Sequence, residues 1–111
     1  MRHVICLALL LVLPATALAA RAPTDNERTA IRHAVSNSPK TDGLGCLRTR
    51  HIRVSTAGPW ASGVAHPCQS SPDAVAVVLK RRHGRWHVKD IGNGQVGCGA
   101  PKEVRRDLDL C

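Results

Sequence analysis

Four cysteines lie beyond the first twenty residues, at Cys46, Cys68, Cys98 and Cys111, and they constrain this chain more than any other feature. An even set in a short chain reads as a disulfide framework if the compartment is oxidising. The start of the chain points to such a compartment. Arg2 and His3 form a basic opening, residues 4–13 are unbroken apolar, Pro14 interrupts them, and Ala17-Leu18-Ala19 offers an A-x-A cleavage site. That is the order of a secretory signal peptide. A spanning helix needs ~20 apolar residues, so residues 1–19 are read as a cleaved signal rather than an anchor. Residues 20–111 are then a single mature domain, secreted or periplasmic in a bacterium, with no transmembrane anchor. Cys6 leaves with the signal, which removes the odd thiol from a chain of 5 Cys.

Cleavage leaves 111 − 19 = 92 residues. Their large apolar side chains are nine Val, five Leu, three Ile and two Trp, with no Phe and no Tyr. A core this thin in a domain this small is marginal, and disulfides are the usual remedy. Four cysteines allow three pairings; the sequential one, Cys46–Cys68 and Cys98–Cys111, is expected, since the second bridge closes a short loop and ties down the tail. Each bridge contributes ~3 kcal/mol by restricting the unfolded chain. No pair has C-x-x-C spacing, so neither a metal nor a cofactor is expected. The chain is also too short for a doubly wound nucleotide-binding sheet or a barrel enzyme. With two aromatics in all, it lacks the stacking platforms that bind single-stranded nucleic acid.

Local patterns predict an α+β fold. Thr24-Asp25-Asn26-Glu27 is a capping box, followed by Ala30, Ile31, Ala34 and Val35 at helical spacing and a stop before Pro39. Residues 51–55 alternate, with Ile52 and Val54 facing inward; that alternation points Arg53 away from Arg48 and Arg50. Residues 60–66 read as a second strand with Trp60 and Val64 on one side. Residues 74–81, rich in Val and Leu, read as a central strand. Residues 82–85 turn the chain, and residues 86–91 return with Trp86 and Val88 facing in, which makes a hairpin. Pro101 opens a last short helix. The expected architecture is an N-terminal helix packed on a curved antiparallel sheet of three to four strands, a short C-terminal helix and two disulfides.

Trp60-Ala61, then Trp86-His87-Val88-Lys89-Asp90-Ile91-Gly92, then Cys98, Pro101, Val104, Leu108 and Cys111 resemble a pattern of small secreted bacterial proteins of unknown function. The resemblance covers about residues 54–111 and implies no activity. Helix followed by sheet is also similar to a shortened cystatin-like or NTF2-like unit. The cystatin-like likeness implies an inhibitor of another protein, although the chain shows no inhibitory loop.

Formal net charge is +8 for the chain; loss of Arg2 leaves 15 − 8 = +7. Lys80, Arg81, Arg82 and Arg85 crowd one predicted turn and are the candidate site for an anionic partner, an envelope polymer or a protein; the plainer reading is a solvated turn. Trp60 and Trp86 are read as core. Gly92-Asn93-Gly94-Gln95-Val96-Gly97 spells G-x-G-x-x-G, but no room remains for the helix and strand that a dinucleotide site needs. Five mature histidines, His33, His51, His66, His83 and His87, invite a nuclease reading. Glutamates are only Glu27 and Glu103, and strand parity sends His87 and Asp90 to opposite faces. No catalytic set is therefore assigned, and Ser55 and Ser62 sit in no nucleophile elbow. The leading expectation is a non-enzymatic binding module. The alternatives are a small histidine-dependent hydrolase and a ligand-free structural component of the envelope.

Mass spectrometry of the exported protein should find residues 20–111 at a mass four hydrogens below the fully reduced chain. Free thiols on the native protein would overturn the framework.

Overall fold

A computed structural model describes residues 20–69 and 73–111, so the signal-peptide reading of residues 1–19 lies outside the described residues. The order of elements is α1 (Asp25–Ser36), a single 3-10 turn (Pro39–Thr41), β1 (Leu47–Val54), β2 (Trp60–Pro67), β3 (Val75–Arg82), β4 (Arg85–Gly92) and α2 (Lys102–Asp107). The strands form one antiparallel sheet in the order β1-β2-β3-β4. The expected α+β class and both sequential disulfides, Cys46–Cys68 and Cys98–Cys111, are present. The β3–β4 turn is built by His83 and Gly84, both at positive φ, the backbone that suits a two-residue hairpin loop.

The sheet is covered on its inner face and over part of its outer face. On the inner face, Ile31 and Val35 of α1 meet Leu47, Ile52, Val54, Ala61, Ala65, Val77, Leu79, Trp86 and Val88. On the outer face, Val104 and Leu108 of the α2 segment close over Trp60, Val78, Val96 and Ala100. This double cover explains the run of apolar residues in β3, since Val77 and Val78 point to opposite faces and both are fully buried. Trp60 and Trp86 are both buried, as expected for core aromatics, but they serve different faces.

The capping box forms as predicted. Glu27 N–H donates to Thr24 Oγ1 at 3.2 Å, and Thr24 N–H donates to Glu27 Oε1 at 2.9 Å. Residues 20–23 do more than lead into it. Arg21 exchanges backbone bonds with Val54 at 2.9 and 2.8 Å and donates two side-chain bonds to Glu27 at 2.7 and 2.8 Å. One arginine thereby ties the helix start to the edge of β1. Its hydrogen bonds come first among the causes that hold the Glu27 carboxyl at about 2, below an ordinary 4.5, and they outweigh the opposing effect of burial.

The outer layer needs anchors because α2 has only six residues, too few to be stable alone. Asp107, 6% exposed, supplies one: its Oδ2 accepts from Ser55 Oγ at 2.8 Å, Thr56 N–H at 2.7 Å and Thr56 Oγ1 at 3.3 Å. Burial by itself would raise this carboxyl, but the Ser55 and Thr56 donors hold it below its ordinary value. Asp90 supplies the second: Oδ2 accepts from Gly97 N–H at 2.8 Å and Oδ1 from Ile91 N–H at 2.9 Å. The Cys98–Cys111 bridge is the third.

Two bulges shift the strand register, and each overturns an expected side-chain direction. In β1, Arg50 opposes Val64 but Arg53 opposes Ser62, so His51 and Ile52 face the single Gly63. In β4, Val88 opposes Leu79 while Asp90 opposes Val78, which leaves Lys89 as the extra residue. A bulge reverses pleat parity beyond it. Arg53 therefore joins Arg48 and Arg50 on the outer face, because Leu47 before the bulge and Ile52 and Val54 after it all point inward. His87 and Asp90 likewise share the outer face, with Val88 and Ile91 pointing inward.

Asp107→Ala should lower stability by about 1–3 kcal/mol in urea unfolding at pH 7, since it strands the buried Ser55 hydroxyl and the Thr56 amide. A loss indistinguishable from zero would show that α2 is held by apolar contact alone. The folded-state pKa of Glu27 lies below the unfolded value, so its contribution is complete above pH 4.5 and is lost as pH falls toward about 2. Glu27→Gln should lower the melting temperature at neutral pH and flatten its decline over that acid range.

Candidate functional site

The cations at the hairpin tip do not form one patch. Lys80 Nζ lies 5.4 Å from the ring centre of Trp60 on the outer face, and Arg81 Cζ lies 5.8 Å from that of Trp86 on the inner face. Both are cation–π contacts that roof a buried indole. Arg82 and Arg85 remain, exposed and directly opposed across the turn.

A second group of cations sits on β1. Arg48, Arg50 and Arg53 are exposed, and the bulge at His51 places all three on the outer face. Among the described residues the ion pairs are Arg21–Glu27 and Arg28–Asp25, so none of the three is neutralised by a carboxylate. The bulge carries backbone strain. His51 has φ 53°, a left-handed conformation rare for a residue with a side chain. The opposing Gly63 allows the close approach: a Cβ there would meet Thr49 Cγ2 at 3.0 Å.

His51 and His66 come together on this face, with ring centres 6.5 Å apart. His66 is the cross-strand neighbour of Arg48, and its Nε2 is buried without a hydrogen-bond partner. The other described histidines lie away from this pair. His83 and His87 share a hollow with Lys40 and Arg82, and His33 lines another between α1 and the hairpin turn. Ser55 is committed to Asp107.

Beside His51 runs a groove of about 450 Å³ between the outer face of the sheet and the tail closed by Cys98–Cys111. Ser62, Val64 and Ala76 form its floor, and Gln95, Asp109 and Leu110 form the far side. The G-x-G-x-x-G segment contributes Gln95 to this groove but is no phosphate cradle, because its Gly97 amide is already bonded to the Asp90 carboxylate.

Among the described residues no group of three or more His, Cys, Asp or Glu is placed to hold a metal ion. No described helix is long and apolar enough to cross a membrane. The two disulfides fit an oxidising environment. No protein-family model, curated protein or solved structure matches the chain.

Proposed function

We propose that this protein is an exported, disulfide-stapled, non-enzymatic binding module for an anionic polymer of the bacterial envelope or its surroundings. The observation that carries the reading is the alignment of Arg48, Arg50 and Arg53 on one exposed face without carboxylate partners. Like charges on neighbouring positions of one ribbon repel, and an anion laid across them offsets that repulsion. The net charge that cleavage leaves, 15 − 8 = +7, adds long-range attraction. A leader that reads as a signal peptide and two disulfides support an extracytoplasmic setting. The resemblance to small secreted bacterial proteins agrees with that setting and adds no activity.

A hydrolase has less behind it. Among the described residues the histidine ring contact is His51–His66, and no carboxylate or carbonyl there orients either ring, as general acid–base catalysis would need.

The exported protein should bind heparin resin and stay bound to about 0.5 M NaCl, as expected for a multivalent contact that releases counterions. Arg48→Ser, Arg50→Ser and Arg53→Ser combined should elute at clearly lower salt, whereas Arg82→Ser with Arg85→Ser should shift elution little. Elution of the wild type below about 0.2 M would remove the reading. A larger shift for the hairpin-tip variant would move the contact to the tip.

A further inference from the structure

We propose that the β1–β2 ribbon and the adjoining groove form a site for a sugar phosphate, with the phosphate held among Arg48, His51 and His66 and the sugar seated in the groove. The inference rests on the anionic-polymer reading and names the unit that such a polymer presents.

The phosphate end follows from three observations. Arg48 and His66 are directly opposed across β1 and β2, so a guanidinium and an imidazole share one spot on the outer face. His51 comes within 6.5 Å of His66, ring centre to ring centre, close enough for one oxyanion to meet both rings. His66 Nε2 has no partner although it is shielded from solvent, an exception to the rule that buried polar atoms are satisfied. A phosphate oxygen between the rings supplies the missing partner once the His66 ring turns outward to meet it, and the guanidinium supplies paired donors that match phosphate geometry. Strain at His51, φ 53°, is the kind of backbone distortion that persists where a side chain must be aimed.

The sugar end follows from the groove. Its volume, about 450 Å³, lies within the ~300–1,000 Å³ typical of small-molecule sites. His51 lines it and so joins it to the phosphate position. Val64, Ala76 and Leu110 offer apolar surface to the C–H face of a ring, while Ser62, Gln95 and Asp109 offer donors and acceptors to hydroxyl groups. The Asp109 carboxylate disfavours a second phosphate inside the groove. A nucleobase is a poor occupant, because both indoles lie under other parts of the sheet and the groove presents no large aromatic face for stacking.

The test is an NMR titration of the disulfide-intact exported protein with glucose 1-phosphate, glucose, inorganic phosphate and uridine 5′-monophosphate. Glucose 1-phosphate is expected to shift the His51, Ser62, Val64 and Gln95 amides and the His66 ring protons, and to bind more tightly than glucose or inorganic phosphate. His66→Asn should weaken it at least tenfold. His51→Gly relieves the positive φ, so it should melt no lower than the wild type yet bind glucose 1-phosphate at least tenfold more weakly. Uridine monophosphate binding as tightly as the sugar phosphate would overturn the sugar assignment. Full affinity in both histidine variants, or shifts confined to Arg82 and Arg85, would overturn the site. Retention on heparin resin without any response to glucose 1-phosphate would sink this inference alone, whereas loss of both would remove the anionic-polymer reading as well.

Discussion

Covering both faces of a four-stranded sheet with so few large apolar side chains is the constraint on which the rest of this structure depends. The inner face has a twelve-residue helix to cover it, capped by Thr24 and Glu27 and tied to the edge of β1 by Arg21. The outer face has only the six residues of α2 and a glycine-rich loop. Apolar contact from Val104 and Leu108 is too little to hold such a layer, so polar and covalent ties complete it. Asp107 grips the β1–β2 connection, Asp90 grips the loop at Gly97, and Cys98–Cys111 closes the tail. The disulfides are therefore not spread evenly over the fold. One closes the open end of the β1–β2 ribbon, where Cys68 N–H also donates to Cys46 C=O at 2.9 Å; the other secures the weaker layer.

The same outer layer leaves part of the sheet uncovered, and the candidate site lies there. Because α2 and the tail roof the Trp60 and Val78 region, the outer side of β1 and β2 stays open beside them. The bulge at His51 then decides what that open surface presents. Without the extra residue, Arg53 would face the core with Ile52 and Val54 turned out. With it, the apolar pair stays inside and three arginines and two histidines gather outside. A positive φ at His51 and a missing side chain at Gly63 are the local conditions for that outcome.

Much of the fold was legible in the sequence. The capping box, the Pro39 stop, the Val-rich central strand and the His83-Gly84 turn all have local causes: a side chain three residues from its partner, a fixed proline φ, an apolar run or a positive-φ turn. Of the two bridges, Cys98–Cys111 closes a short loop of 13 residues, whereas Cys46–Cys68 spans 22 and depends on the pairing of β1 with β2. The candidate site was much less legible. The cluster most visible in the sequence, Lys80 to Arg85, is contiguous in the chain and divided in space, because alternate residues of a strand face opposite ways and two of the cations roof two different indoles. The cluster that the fold assembles, Arg48, Arg50, Arg53, His51 and His66, is spread over two strands. Its sequence signal is a run of basic residues, and simple alternation along it places Arg53 on the wrong face because the bulge leaves no local mark. Asp107 was missed for a similar reason, since its partners Ser55 and Thr56 lie 52 and 51 residues away.

By itself, the amino-acid sequence determined the α+β class and the position of most helices and strands, because helix caps, strand periodicity and turn residues act over a few positions; it left three cysteine pairings open. Only the tertiary structure decided which side chains share a face. One inserted residue in a strand reverses the direction of every side chain beyond it, and whether it is inserted depends on long-range pairing: Ile52 and Val54 must reach the same core as Leu47.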